Sequence, residues 1–303
     1  MSVKPLHVNL ANENYVDSNW SNNGFIKMEE IRRMGKLCDI TISVDDHKFT
    51  AHRIVLASSI PYFNAMFLNE MIESRQEVIT INSVDHNAME QFINYSYNGI
   101  ITITNENVQS LLIAANFFHL KNIKTACCEF IKKRLTIQDV LPIRTFADQL
   151  MCHDLILCCN RFANKNFNKI VHTQPFLDLT AAELNEMLQR DDLNVESEEQ
   201  IYEAIIEWVK YDEAKRKEQL PEILKHCRLP LITPVYLFEK IKNEDLIKNN
   251  MVSRDLLDEA CFYHLLPEKR SQLKAFKLKP RFCNDCKLDI FIFAVSYLTL
   301  NFL

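Results

Sequence analysis

Apolar residues recur every third position in the stretch "GFIKMEEIRRMGKL", at Phe25, Met28, Ile31 and Met34, with Leu37 following. That spacing predicts one greasy stripe on a short helix. The next stretch, "CDITISV", switches to strict alternation. Ile40, Ile42 and Val44 share one side and polar residues the other, the pattern of a half-buried strand. Asp45–Asp46 makes the turn and "HKFTA" returns as the hairpin partner. "HRIVLASS" reads as a short helix. Pro61 opens another, with Phe63, Met66 and Phe67 on one face. Strands are expected at "EVITI" and "IITIT", on either side of a helix "HNAMEQFINYSYNG" that closes near Gly99. Two consecutive helices, "NENVQSLLIAANFFHL" and "KNIKTACCEFIKKRL", come next.

After about Thr104 the pattern is continuously helical. Capping-box spacing at Thr180-x-x-Glu183 and Ser197-x-x-Gln200 marks two helix starts. The second helix carries Ile201, Ile205, Trp208 and Val209 on one face. Helix pairs with short connections stack into a bundle or solenoid. Residues 1–23 read as a polar, flexible arm.

Composition sharpens this picture at a few points. The chain has 303 residues and only three glycines, Gly24, Gly35 and Gly99. So little glycine leaves few tight left-handed turns and favours helix. Two domains are expected for this length. A net charge of −5 and a pI near 6.0 give no electrostatic footprint for nucleic acid. The N-terminus has no apolar core of a secretory signal. Ten cysteines then read as reduced thiols in a cytosolic or nuclear protein, not as disulfides, and a cytoplasmic location is expected.

Catalytic motifs are missing. The sequence contains no G-x-x-x-x-G-K, G-x-G-x-x-G, G-x-S-x-G or H-E-x-x-H, so no enzyme is expected, and no cofactor. His52 reads as a structural histidine ordering the hairpin-to-helix turn. Cys283-x-x-Cys286 is a zinc half-site at most; Cys261 and His264 are wrongly spaced to complete it, and no metal is expected. The tail "DIFIFAVSYLTLNFL" is shorter than the roughly 20 residues of a membrane span and reads as a strand. No membrane partner is expected.

The segment "LCDITISVDDHKFTAHRIVLASSIPYFNAMFLNEMIES", continued by "NVQSLLIAANFFHLKNIKTACCEFIKKRL", resembles the BTB (POZ) domain of Kelch-like proteins. "IRTFADQLMCHDLILCCNRFANKNFNKIV", "LNVESEEQIYEAIIEWVKYD" and "CRLPLITPVYL" resemble the BACK domain. The likeness covers about residues 25–270 and points to the diablo and ring-canal group. The fold it implies is an α+β BTB/POZ domain at 24–135, then an all-α BACK domain at 136–270. A tail at 271–303 resembles the start of a first Kelch blade, with the rest of the propeller absent.

The resemblance also implies function. In that family the BTB domain homodimerises and binds cullin-3, and the protein serves as substrate adaptor of a ubiquitin ligase. Met71, Ile72 and Glu73, with Phe67 beside them, match the hydrophobic-x-Glu motif that meets cullin-3. From periodicity alone, Met71 would simply close the core and Glu73 would be solvated. Phe25, Met28, Ile31 and Met34 match the helix that crosses to the partner chain, and Asp39 an aspartate of the dimer interface that also supports the fold. The helices around Leu135–Leu150 match a segment that adds a groove for the cullin N-terminus. Expected partners are cullin-3, a second BTB chain and an unidentified ubiquitination substrate. Two rival readings are a propeller-less competitor that dimerises with full-length relatives or occupies cullin-3, and a BTB transcriptional regulator.

Overall fold

The computed structural model describes residues 16–18, 20–69, 75–272 and 278–281. Two compact units divide between Ile131 and Lys132.

In the first unit, helix α1 (Trp20–Arg33) precedes a hairpin of β1 (Ile40–Val44) and β2 (His47–Ala51). Helices α2 (Arg53–Ser59) and α3 (Pro61–Leu68), strand β3 (Val78–Thr80) and helices α4 (His86–Asn98), α5 (Val108–Phe117) and α6 (Lys121–Lys132) follow. The sheet order is β2-β1-β3. β1 pairs antiparallel with β2, setting Ile42 opposite Phe49, and parallel with β3, setting Ile42 opposite Ile79. The alternation is realised: Ile40, Ile42 and Val44 are buried and the residues between them half-buried. Asp45 takes the turn in the left-handed region, at φ 49°.

A phenylalanine cluster forms the core behind the sheet. Phe118 lies 5.6 Å from Phe63 and 5.5 Å from Phe92, ring centre to ring centre. All three are buried. Aromatic pairs at these separations add to the area they remove from water. Helix α4 starts on Asp85, whose carboxylate accepts from the Asn87 and Ala88 amides, and ends at Gly99, at φ 69°. That is the left-handed stop for which glycine is the cheapest residue.

Three expectations need correction. The helix at the start begins at Trp20, not Gly24, so four residues assigned to the arm are helical. "IITIT" is not a strand. The Asn107 side chain takes the backbone groups a sheet would have used: its amide donates to the Thr102 carbonyl at 2.8 Å, and its oxygen accepts from the Thr104 N–H at 2.7 Å. At Ser197 no side-chain cap forms; Gln200 Oε1 accepts from the Glu196 amide instead.

Among its described residues the second unit has helices and connecting loops and no strand. Its elements are α7 (Val140–Gln149), α8 (His153–Lys165), α9 (Phe167–Ile170), α10 (Gln174–Leu177) and α11 (Ala181–Leu188). Then come α12 (Glu198–Tyr211), α13 (Glu213–Arg216), α14 (Leu220–Leu224), α15 (Pro234–Glu239), α16 (Asp245–Lys248) and α17 (Met251–Leu265). α7 and α8 pack as a pair. The Thr180–Glu183 capping box is complete at the start of α11. Trp208 of α12 is buried, donates Nε1–H to the Leu179 carbonyl at 2.9 Å and carries the Arg216 guanidinium over its ring at 4.1 Å.

Cys127, Cys159 and Cys227 are fully buried, and burial pushes the Cys227 thiol up from its ordinary value. They act as small apolar side chains. His264 Nε2 lies 3.1 Å from the Ile232 carbonyl oxygen, and no metal-ligating cluster occurs among the described residues. Cys283, Cys286 and the apolar tail fall outside those residues.

Candidate protein-interaction site

Helix α3 carries the first candidate surface. Phe63 is buried, Met66 and Phe67 are half-buried, and Leu68 is exposed. The Phe67 ring stacks on Phe63 at 5.6 Å with 16° between planes, so its position follows from the core. The Arg53 guanidinium lies 4.9 Å from the centre of the Phe67 ring and donates to the Gln76 carbonyl. One arginine therefore holds the end of α3 and the chain that leads into β3. Met71, Ile72 and Glu73 lie outside the described residues.

Asp39 is exposed, and its backbone and side chain work together. Its N–H donates to the Ala51 carbonyl at 3.2 Å, and its Oδ1 accepts from the Arg53 N–H at 2.8 Å. The carboxylate thus caps α2 from fourteen residues upstream, a favourable place for negative charge.

The next residue in the chain after β2 closes a chain of donors. The His52 N–H donates to the Tyr97 hydroxyl at 2.8 Å; that hydroxyl lies 2.8 Å from His52 Nδ1; His52 Nε2 lies 3.1 Å from the Lys36 carbonyl. One proton arrangement satisfies all three contacts: Tyr97 donates to Nδ1, and Nε2–H donates to Lys36. Burial pushes the Tyr97 phenol up to about 12, which keeps that donor proton in place. His52 is a structural residue here, as its sequence context indicates.

Helix α1 is the second candidate surface. It packs on α4. Arg32 fastens it by donating to Asn94 Oδ1 at 2.7 Å and by lying over the Tyr97 ring at 5.1 Å. Burial alone would raise the Glu29 carboxyl; hydrogen bonds and charge from Arg32 and Arg33 outweigh it and hold the carboxyl below its ordinary value. Met28 and Ile31 are half-buried, while Phe25 is 37% and Met34 64% exposed. Trp20 and Ile26, which lie off the three-residue count, are exposed as well, and so is Leu37, the position that follows the stripe. The stripe of the sequence is thus divided, half sheltered and half open, and the open part is wider than periodicity indicates. Arg53 and Tyr97 have no signature along the chain, because each acts through partners far away in sequence.

The second unit holds a groove of about 380 Å³. Leu141, Pro142, Thr145 and Phe146 of α7 line it, opposite Leu179 and Glu183.

The BTB/POZ domain family matches residues 28–135, and the BACK family (BTB And C-terminal Kelch) matches residues 140–242. The chain is 39% identical to Kelch-like protein 17 of Homo sapiens over 259 residues. This is a BTB–BACK chain of the Kelch-like family. The aligned part takes in 86% of this chain and 40% of the human protein, so the BTB–BACK chain spans well under half the length of that relative. Among solved structures, the BTB domain of zebrafish PATZ1 aligns over 40% of this chain and 99% of its own, at 24% identity and a TM-score of 0.37. Among the described residues, no helix is long and apolar enough to cross a membrane.

Proposed function

We propose that this BTB–BACK chain is a non-catalytic adaptor of a cullin-3 ubiquitin ligase, cytoplasmic, homodimeric through its BTB domain, and recruiting an unidentified substrate for ubiquitination. The observation that carries the reading is the BTB match over residues 28–135, together with what α1 and α3 expose. Isolated α1 has little reason to keep Trp20, Ile26, Met34 and Leu37 in water; a second copy gives them a surface. At the end of α3, Phe67 forms an apolar platform rooted in the core, four positions before Met71 in the sequence. An aromatic rooted in the core is the kind of anchor expected of an interface hot spot. The groove along α7 suits an extended segment with apolar side chains, which supports a second contact with the cullin.

Size-exclusion chromatography with light scattering tests this, on the chain alone and mixed with the N-terminal domain of cullin-3. The expected species is a complex of two chains with two cullin domains. Glu73→Ala should weaken the complex and leave the dimer intact. A dimer that ignores cullin-3 would reduce the protein to a dimerisation module. Unchanged affinity in the variant would remove Met71–Glu73 from the contact.

A further inference from the structure

Beyond residue 242, where the BACK match ends, the chain sends one side chain back into the helical unit. Leu278 is half-buried and Lys279 and Pro280 are exposed, but the Arg281 side chain is only 1% exposed. Its Nε donates to Glu198 Oε1 at 2.8 Å. Nη1 donates to the carbonyls of Leu188, at 2.9 Å, and Arg190. Nη2 donates to the His226 carbonyl at 2.8 Å. Those acceptors come from three places. Leu188 ends α11, where helix carbonyls lack internal partners and a cation is favoured. Glu198 opens α12, where a carboxylate is favoured. His226 follows α14.

The same segment contributes an acceptor to a second arginine. Arg228, also buried, donates its N–H to Glu198 Oε2 at 3.1 Å and its guanidinium to Asp191 and to the Lys279 carbonyl. Two carboxylates and two guanidiniums then balance. Without Arg281, Glu198 keeps among the described residues only the Arg228 N–H and an ion pair at 3.9 Å, and three carbonyls lose a donor. A buried charge left without its partner is strongly destabilising.

We propose that Leu278–Arg281 is an anchoring strap: the helical unit is completed by Arg281, and this arginine fixes the point from which the chain leaves the unit. The strap gives any following segment a fixed starting point in place of a loose tether. The proposal concerns the fold of the second unit and stands whether or not cullin-3 binds.

Trypsin treatment of the folded full-length chain tests it. The Arg281–Phe282 bond should be cut at least about tenfold more slowly than Arg270–Ser271, whose arginine is exposed. In Glu198→Gln, which keeps the shape but not the charge, cutting at Arg281 should rise about tenfold while cutting at Arg270 stays unchanged. In Arg281→Met the second unit should melt earlier, with Arg281→Lys partly restoring it. Should Glu198→Gln fail to fold, the wild-type ratio and the Arg281→Met result decide the matter. Equal cutting at Arg281 and Arg270 in the wild-type chain, or an unchanged rate in Glu198→Gln together with an unchanged melting temperature in Arg281→Met, would overturn the strap.

Discussion

Removing one oxygen atom from Tyr97 should destabilise the BTB unit out of proportion to its size. Tyr97 is 1% exposed, and its hydroxyl contacts both the His52 N–H and His52 Nδ1 at 2.8 Å. Tyr97→Phe keeps the ring, so no large cavity opens. It leaves a buried backbone donor and a buried ring nitrogen without that partner. At about 1–3 kcal/mol for each buried polar group left unsatisfied, partly offset by no longer burying the hydroxyl, the expected loss is about 2–4 kcal/mol. For a unit of this size that lowers the melting temperature by about 10 °C. Scanning calorimetry on the full chain reads the shift, and amide hydrogen exchange at His52 locates it. The raised phenol also fixes the pH behaviour. The folded state binds its proton more tightly than the unfolded chain, so this contribution is fully present below about pH 10 and is lost as pH rises toward about 12. Tyr97→Phe should remove that alkaline sensitivity. A loss below about 0.5 kcal/mol, with His52 exchange unchanged, would refute the proton arrangement drawn through these residues.

Gly99→Ala meets no atom within 4 Å of the added carbon, so only the left-handed backbone resists it; urea unfolding should show a loss of about 1 kcal/mol. Met34→Asp should shift the chain toward monomer in sedimentation while circular dichroism stays constant; an intact dimer would take the open face of α1 out of the interface. Burial raises the Glu183 carboxyl, but hydrogen bonds from the Thr180 N–H and hydroxyl outweigh this and lower it overall. Its stabilising contribution is therefore complete above the ordinary value of 4.5 and fades as pH falls below it, a dependence that Glu183→Gln should flatten in melting curves taken between pH 3 and 6. Removing residues 288–303, strongly apolar in sequence, should improve solubility and leave the melting temperature unchanged; a clear drop would show that this stretch packs on the fold.

Elements whose stability is local were legible in the sequence. Ile40, Ile42 and Val44 alternate because one face of β1 is buried, and Thr180 with Glu183 caps α11 within four residues. Misreadings arose where a distant or competing partner took the backbone. Asn107 claims the polar groups of "IITIT", and Gln200 turns to Glu196 instead of Ser197. The polar look of "WSNN" hid the first turn of α1, a helix that is fastened to α4 from its other end by Arg32. The interaction surfaces divide the same way. Periodicity finds the stripe Phe25, Met28, Ile31 and Met34 but not which half of it the protein shelters. Nothing near Arg53 in the chain announces that it will reach Asp39, Phe67 and Gln76.

The contact between Arg281 and Glu198 joins residues 83 positions apart, and it has a consequence for biosynthesis. A ribosome releases the carboxylate long before the guanidinium that neutralises it. During that interval Arg228 has Asp191, but among the described residues Glu198 has only the Arg228 N–H and a 3.9 Å ion pair and keeps its hydration, so the Arg281 end of this region stays open. Its closure is set by the arrival of a residue well past the last long helix and not by the helices themselves. Translation pausing before codon 281 would prolong the interval, and chaperones that read exposed helix ends would meet the protein there.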